Sequence, residues 1–207
     1  MGLRAAGAGG SECASADSSA TPDTIKATVS VRVAHEVSKL QGACRKYNEV
    51  AVSLERFHLF LDFDGVLVTK FSKPSERYEG MEFDPACTET LGEVLQFLRG
   101  RFDEFVVVII SNWRLELSER KLIGRLQEHD NIQRYVSGIE VLGKQGDKRA
   151  ALAAYIEQGR LSARRYIILD DEDLGDELRP MQIRTRSEDG IRDVGGMLYA
   201  IKEVLTL

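Results

Sequence analysis

Residues 57–68 read FHLFLDFDGVLV, an apolar and aromatic run that stops at two aspartates and a glycine. The run is short and is interrupted by Gly65, so we interpret Phe57–Phe63 as a buried strand. A second run, FVVVIIS at residues 105–111, is rich in β-branched residues and predicts another strand. A third run, YIILD at residues 166–170, also has strand character and leads into an acidic cluster. These three runs indicate a sheet whose strands lie in the interior of the domain.

Helical patterns separate these strands along the chain. The predicted helices cover Pro85–Phe102, Leu115–His129, Asp147–Gln158 and Gly190–Leu207, and two weaker strands cover Ile139–Leu142 and Met181–Thr185. Strands that alternate with helices are typical of βαβ units, and they predict an α/β fold with a doubly wound, mostly parallel sheet. The polar stretch Thr69–Met81 has neither pattern, so we expect a loop or flap there.

The first 55 residues differ in composition from the rest. Residues 1–24 are small and polar, which predicts a disordered leader, and they lack the hydrophobic block of a secretory signal. Residues 25–55 are expected to form an N-terminal helical extension, because apolar residues between Val33 and Leu54 recur at steps of three and four. That apolar stripe could also mediate self-association through residues 30–54, although packing on the chain's own domain is the commoner outcome.

Composition limits the class of protein. The chain has 207 residues, of which 43% are hydrophobic and 29% are charged, and these values exclude fibrous and wholly disordered chains. A net charge of −5 argues against broad, non-specific binding of nucleic acid. The three cysteines form no CxxC pair, which argues against a zinc site and favours a reducing, cytoplasmic compartment. No apolar run approaches the ~20 residues of a membrane helix.

Polar residues follow the predicted strand ends. They are Asp62 and Asp64 after the first strand, Ser111 and Asn112 after the second, Asp170, Asp171 and Asp173 at the third, and Lys144 and Lys148 on the preceding connection. Ligands of open parallel sheets bind beyond the carboxyl ends of the strands, so these side chains are expected to converge. Carboxylates that converge so closely raise one another's pKa values or require a cation, and oxygen-only ligands favour Mg²⁺. A single aspartate could equally be a helix cap or a solvated loop residue. Here, however, polar residues occur at the ends of all three predicted strands, which favours a shared site.

The ordered set of motifs resembles the phosphatase branch of the haloacid dehalogenase (HAD) superfamily. The motifs are FLDFDGVLV, VVVIISN, a lysine and IILDDED, in this order from Phe57 towards the C-terminus. The stretches ISNWR, GDKRAALAAYI and RYIILDDE, with a later DG segment, resemble more closely the HAD domain of Swiss Army Knife RNA repair proteins. The resemblance implies that residues 56–207 form a HAD-like, Rossmann-like catalytic domain without a cap domain.

The resemblance also implies a role for each matching acidic residue. Asp62 matches the nucleophile that would attack phosphorus and give an aspartyl-phosphate, and Asp64 matches the general acid and base. Mg²⁺ would lie between Asp62, the backbone carbonyl of Asp64 and the acidic end of the third strand. Asp170, Asp171 and Asp173 compete for the metal there, and we prefer the first two, with Asp170 as the first choice.

Three further residues would hold the phosphate. The resemblance implies that the hydroxyl of Ser111 would hydrogen-bond the phosphoryl oxygens and that Asn112 would assist it. A lysine neutralises the phosphoryl charge, since phosphoryl transfer depends mainly on positioning and electrostatics. Lys148 opens a predicted helix, and we prefer it for this role to Lys144 in the preceding loop.

The size of the substrate follows from the gaps between the motifs. A capping domain could be inserted between Gly65 and Pro85 or between Ser111 and Lys148. Neither stretch has room for one beside its predicted elements, since domains typically begin near about 50 residues. The resulting open site would admit a phosphorylated macromolecular end, and the closer resemblance suggests RNA ends. The acidic net charge argues against RNA, because only Arg114, Lys144, Lys148 and Arg149 suggest a basic track. Trp113 and Arg114 are candidates to contact a base or a phosphate, although a lone tryptophan beside an apolar helix is more often a core residue. A phosphoprotein or small metabolite is the alternative substrate.

Two hypotheses of function follow. The first is a Mg²⁺-dependent phosphomonoesterase acting through an aspartyl-phosphate, with RNA phosphate ends as the suggested substrate. The alternative is a catalytically idle, HAD-like phosphate- or partner-binding module that assembles through residues 30–54. The complete set of motif residues favours the enzyme.

Overall fold

The structure is a computed structural model that describes residues 56–78, 80–136 and 138–206. The expected leader (1–24), the helical extension up to residue 55 and the proposed self-association segment (30–54) lie outside the described residues. The elements are β1 (Phe57–Leu61), α1 (Pro85–Arg99), β2 (Phe105–Ile109), α2 (Glu119–Gln127), α3 (Asp130–Gln133), β3 (Gly138–Val141), α4 (Lys148–Gly159), β4 (Tyr166–Asp170), β5 (Gln182–Arg184) and α5 (Val194–Thr206). Short 3₁₀ helices cover Asn112–Leu115, Ala163–Arg165 and Arg179–Met181.

The five strands form one parallel sheet in the order β3-β2-β1-β4-β5. β1 lies at the centre, where Phe57 pairs with Phe105 of β2 and His58 pairs with Tyr166 of β4. The expected α/β, doubly wound parallel sheet is therefore confirmed. Because β1 and β4 are neighbours, the residues that follow them emerge side by side at the carboxyl edge of the sheet.

The sheet separates two hydrophobic cores. On one face, Leu59 and Leu61 of β1 pack with buried residues of α1, α2, α3 and α5. On the other face, Phe60 packs with Leu152 of α4 and with Met181. All residues of β1, β2 and β4 are buried, and strands covered on both faces have the continuous apolar sequences that predicted them. Across the described ranges, no helix is long and apolar enough to cross a membrane.

Several predicted boundaries need correction. The helix expected over Leu115–His129 is divided, because a 3₁₀ turn at Asn112–Leu115 comes first and α2 starts only at Glu119. His129 has an extended backbone that ends this helical stretch before α3. The closing helix starts at Val194 and not at Gly190, since Gly190 has a φ of 59°. β1 and β2 each end two residues earlier than the predicted strands.

Residues 69–84, which we call the flap segment, form the later part of the connection between β1 and α1. Within its described part the segment forms no helix, and it contains one isolated bridge between Pro74 and Met81. Asp84 anchors its end: the buried carboxylate accepts hydrogen bonds from the Thr69 hydroxyl (2.7 Å), the Arg192 guanidinium (2.6 Å) and the Ala86 amide (3.0 Å). The prediction of a loop or flap is thus confirmed, and this connection contains no cap domain.

Candidate active site

Asp62 follows the central strand and lies at the bottom of the site. Its side chain is buried, and its backbone amide continues the parallel pairing by donating to Leu169 O at 3.0 Å. The Phe63 amide donates to Asp62 Oδ1 at 2.7 Å, and Lys148 Nζ donates to Oδ2 at 2.6 Å. These contacts hold the carboxylate in one orientation at the carboxyl edge of the sheet.

Lys148 is the first residue of α4, and its ammonium reaches three carboxylates. The Asp147 side chain caps this helix by accepting from the Ala150 amide at 2.7 Å. Lys148 Nζ lies 2.6 Å from Asp62 Oδ2, 3.0 Å from Asp170 Oδ2 and 3.1 Å from Glu172 Oε2. Burial lowers the pKa of Lys148, but the charges of Asp62 and Asp170 outweigh burial and raise it. The ammonium therefore stays charged, and the three carboxylates around it leave an excess of negative charge.

The structure separates the two candidate lysines. Lys144 is exposed, and its ammonium donates to the carbonyl of Leu117 at 3.2 Å. Lys148 is buried and contacts Asp62 directly. Of the two, only Lys148 lies against the carboxylate that sequence analysis assigned as the nucleophile.

Asp62, Asp170 and Asp171 form the acidic centre of the site. One carboxylate oxygen from each lies within 4.8 Å of the others. Asp170 is fully buried, and burial together with the nearby charge of Asp62 raises its pKa to about 6. Burial and the charge of Asp62 also raise the pKa of Asp171. Such an oxygen-only cluster with excess negative charge fits a hard divalent cation.

Asp173 does not belong to this cluster. It is exposed, and its carboxylate accepts from the Gly175 amide at 2.9 Å and from the Arg179 guanidinium at 3.2 Å. Glu172 was not singled out from the sequence, yet its carboxylate contacts Lys148. The acidic end of β4 therefore directs Asp170 and Asp171 into the site, while Asp173 pairs with surface groups.

Gly65 makes the tight turn that lets the chain leave β1 beside Asp171. Its φ is 67°, and a Cβ built on it would lie 2.3 Å from Asp171 Cγ. The Thr185 hydroxyl donates to Gly65 O at 2.6 Å and fixes the turn against β5. The glycine is thus required both by its backbone conformation and by the close approach of a carboxylate.

Gly65→Ala is expected to destabilise the protein by about 2 kcal/mol or more, because alanine is strained at positive φ and its methyl group would displace Asp171. Gly124 in α2 provides the control, since among the described residues a Cβ there would meet no side chain or other segment within 4 Å beyond its own helix backbone and chain neighbours. Gly124→Ala is expected to stabilise the helix by up to about 1 kcal/mol. Denaturant unfolding measures both changes, and equal effects of the two substitutions would contradict the structural role of Gly65.

Asp64 is exposed beside the acidic centre and is held by Trp113. The indole Nε1–H of Trp113 donates to Asp64 Oδ2 at 2.8 Å. Loss of solvent around the carboxyl raises the pKa of Asp64, the Trp113 hydrogen bond opposes that shift, and the charges of Asp62 and Asp171 add to it. Sequence analysis placed Trp113 near the substrate or in the core but missed its hydrogen bond to Asp64. Its position two residues after Ser111 was the available signal.

The end of β2 brings Ser111 to the same edge. Ser111 is fully buried, and its hydroxyl oxygen accepts from the Trp113 amide at 3.4 Å. Asn112 is exposed, and its amide oxygen accepts from Arg114 at 3.0 Å. Ser111 and Asn112 thus lie at the strand end where the sequence predicted phosphate ligands.

Arg114 does not face a substrate, which corrects the sequence-based expectation. Its side chain is fully buried, and it donates to the carbonyls of Ile110 (3.1 Å), Ser111 (3.3 Å) and Gly143 (3.3 Å). The guanidinium therefore satisfies backbone oxygens at the ends of β2 and β3. Arg114 stabilises the backbone that carries Ser111. Because its side chain is buried, it cannot form part of a basic track for a polynucleotide.

The chain was compared with solved structures and with curated proteins. Solved structures similar to the chain include 3-deoxy-D-manno-octulosonate 8-phosphate phosphatase from Moraxella catarrhalis in complex with magnesium, phosphate and KDO; it is 16% identical, with a TM-score of 0.39 over 77% of this chain and 95% of that one. A putative enzyme of the same name from Vibrio cholerae is 13% identical, with a TM-score of 0.40 over 74% and 89% of the two chains. A comparison with curated proteins finds no match.

The family described as "HAD domain in Swiss Army Knife RNA repair proteins" matches residues 58–194. This range runs from β1 to the first residue of α5, and it includes the whole acidic centre, Ser111 and Lys148. The chain therefore belongs to the HAD superfamily, within the family of HAD domains found in Swiss Army Knife RNA repair proteins.

Proposed function

We propose that this chain is a Mg²⁺-dependent phosphomonoesterase in which Asp62 is the nucleophile. The observation that carries the proposal is the position of Asp62 at the end of the central strand, with Lys148 Nζ 2.6 Å from Oδ2. Asp170 and Asp171 lie next to it, and Ser111 comes from the neighbouring strand. Membership of the HAD family supports the same reaction class.

The reaction divides into two displacements. In the first, Asp62 Oδ attacks phosphorus and the bond to the leaving oxygen breaks, while Asp64 gives that oxygen a proton. In the second, Asp64 takes a proton from water, which attacks the aspartyl-phosphate and releases inorganic phosphate and free Asp62. The raised pKa of Asp64 favours its protonated form before the first step. The Ser111 hydroxyl and the Lys148 ammonium stabilise the charge on the phosphoryl oxygens.

Asp62, Asp170 and Asp171 would hold the magnesium ion. Their oxygens lie close together and their donor chemistry suits Mg²⁺. When bound, the ion neutralises charge on the phosphoryl group and on the surrounding carboxylates. The single positive charge of Lys148 does not neutralise the carboxylates of Asp62, Asp170 and Glu172. The remaining negative charge is what a bound divalent cation would neutralise.

We extend the proposal to phosphorylated RNA ends as the substrate. Two observations support this extension: the chain matches a family of RNA repair proteins, and the described connections between the strands contain no cap domain. The basic residues near the acidic end of β4 do not form a free track, since Arg179 and Arg184 both pair with Asp173. Recognition would therefore concern the terminal phosphate and its neighbouring nucleotides more than a long stretch of backbone.

The test compares a 3′- or 5′-phosphorylated oligoribonucleotide with a free nucleotide monophosphate, with Mg²⁺ and after chelation. Chelation is expected to remove hydrolysis and added Mg²⁺ to restore it, and the oligonucleotide is expected to have a kcat/KM at least about tenfold higher, equivalent to about 1.4 kcal/mol. A large preference for the free nucleotide would contradict the RNA assignment alone. Failure to hydrolyse any phosphomonoester with Mg²⁺ present would contradict the phosphatase itself.

A matched pair of aspartates tests the metal ligands. Asp171→Asn is expected to raise the Mg²⁺ concentration for half-maximal activity by about tenfold or more, because it removes one charge of the acidic centre. Asp173→Asn removes a neighbouring charge outside that centre and is expected to leave the Mg²⁺ requirement unchanged within about twofold. An equal shift in the two variants would mean that the acidic centre does not bind the metal.

A further inference from the structure

Arg125 on α2 is a buried cation between two aromatic rings. Its guanidinium carbon lies 4.6 Å from the centroid of the Trp113 ring and 4.3 Å from that of Tyr78. One terminal nitrogen donates to Met81 O at 3.2 Å. The residue is only 5% exposed, and no carboxylate of the described ranges lies within ion-pair distance of it. The two rings and the Met81 carbonyl are its direct contacts, and the charges of Glu82 and Glu128 also favour its cationic form.

The other contacts of Trp113 fix the indole in place. The Phe63 ring meets it nearly edge-on, with centroids 5.5 Å apart, and the Phe83 ring lies 6.4 Å away. With Arg125 over one face and these rings around it, the indole has little freedom to turn. Its only N–H group then points to Asp64 Oδ2 at 2.8 Å. A change in the tilt of the ring would lengthen that hydrogen bond or break it.

A buried guanidinium is a costly way to fill space, since an apolar side chain would pack against the rings without desolvating a charge. Its positive charge, however, has an electrostatic effect that an apolar group lacks. A cation over the face of an aromatic ring is attracted to the ring's electrons, and this attraction fixes the relative placement of the two groups. It also draws electron density away from the indole N–H, which makes that group a stronger donor.

We propose that Arg125 is a positioning residue for the reaction: through Trp113 it fixes the orientation of the Asp64 carboxyl. Through Tyr78 and Met81 it also makes that orientation depend on the placement of the flap segment. The inference rests on the proposed function, in which Asp64 gives a proton to the leaving oxygen. A purely structural Arg125 would tie α2 to the flap segment and have no selective effect on proton transfer.

The first test does not need activity. The chain contains one tryptophan, so the indole N–H gives one nuclear magnetic resonance signal in ¹⁵N-labelled protein. Asp64→Ala and Arg125→Met are both expected to shift this signal and to speed exchange of its proton with water. Arg120→Met is the matched control, because Arg120 is exposed on the same helix, and it is expected to leave the signal unchanged.

The second test uses the leaving group. An alkyl phosphate needs a proton on its leaving oxygen, whereas p-nitrophenyl phosphate releases a stable phenolate. Since kcat/KM reports the steps through the first displacement, Arg125→Met is expected to lower it at least about tenfold for the alkyl ester. The aryl ester is expected to lose less than about threefold. Arg125→Lys keeps the positive charge but loses the planar guanidinium. It should therefore retain part of the kcat/KM for the alkyl ester that Arg125→Met loses.

The outcomes separate the two proposals. Equal losses on the two esters, or an indole signal unmoved by Arg125→Met in folded protein, would overturn the role of Arg125. If Arg125→Met does not fold, Arg125→Lys is used in both measurements, with smaller effects of the same sign expected. A wild-type protein that hydrolyses neither these esters nor the phosphorylated oligoribonucleotides would overturn the proposed function, while the indole signal would still report whether Arg125 sets the Trp113–Asp64 contact.

Discussion

Asp62→Asn is expected to lower kcat by at least about 1,000-fold, a loss of about 4 kcal/mol in transition-state stabilisation. The amide oxygen can still accept from the Phe63 amide, and Lys148 keeps its contacts with Asp170 and Glu172. The fold should therefore remain intact, while the amide cannot form the covalent bond to phosphorus. Steady-state rates with the best substrate measure the first effect, and denaturant unfolding measures the second.

A direct readout accompanies the rate. Wild-type protein quenched in acid during turnover of a ³²P-labelled substrate is expected to carry label, and Asp62→Asn is expected to carry none. Asp176→Asn serves as the control, since this aspartate is exposed and, within the described part of the chain, forms an ion pair with Arg179 alone. It should turn over and take up label like the wild type. Turnover retained by purified Asp62→Asn would falsify the proposed mechanism.

Lys148→Met is expected to have the second largest effect, on both activity and stability. It removes the one ammonium shared by Asp62, Asp170 and Glu172, so activity should fall by at least about 100-fold. Leaving two buried carboxylates without their cation should lower the free energy of unfolding by about 3 kcal/mol in metal-free protein.

The stability loss has a defined pH dependence. Without Lys148 the pKa of Asp170, already raised to about 6, rises further, because the ammonium is one of the groups that lower it. The folded variant then binds more protons than the unfolded chain, so its stability falls as pH rises through that range. The difference in unfolding free energy between Lys148→Met and wild type should be larger at pH 8 than at pH 5.

Lys144→Met is the matched control for this experiment. The exposed Lys144 contacts only a backbone carbonyl within the described residues, so its loss should change stability by no more than about 0.5 kcal/mol. Activity should change by less than about threefold. A larger effect of Lys144→Met than of Lys148→Met would reverse the assignment of the phosphate-binding lysine.

The strands and the position of Lys148 at the start of a helix were predictable from local patterns. Central parallel strands are covered on both faces, so their sequences are apolar throughout, as in residues 57–61 and 105–109. The preference for Lys148 followed from its place at the start of a helix, and α4 does begin there. Element boundaries were less predictable: the 3₁₀ turn at Asn112–Leu115 comes between β2 and α2 where a continuous helix was expected.

Other parts of the site depend on contacts between distant segments. Asp171 and Asp173 belong to the same acidic run, and the sequence-based preference for Asp171 had no structural basis; in the structure Asp173 pairs with Arg179 while Asp171 lies against the turn at Gly65. The indole N–H of Trp113 donates to Asp64, and α2 places Arg125 over the same indole. No periodicity in the sequence encodes such pairings, since each needs the folded sheet to bring its partners together.

The central place of β1 has a consequence for how the protein acquires its activity. β1 precedes both of its neighbours in the chain, and it pairs with β2 on one side and with the much later β4 on the other. Such non-local parallel pairing is slow, because a long loop is closed before the contact gains free energy. During synthesis, β1 stays half-paired until residues 166–170 have emerged from the ribosome. Growing chains are then expected to be inactive until these residues are available for pairing, and activity should return last during refolding, after most helical structure has formed.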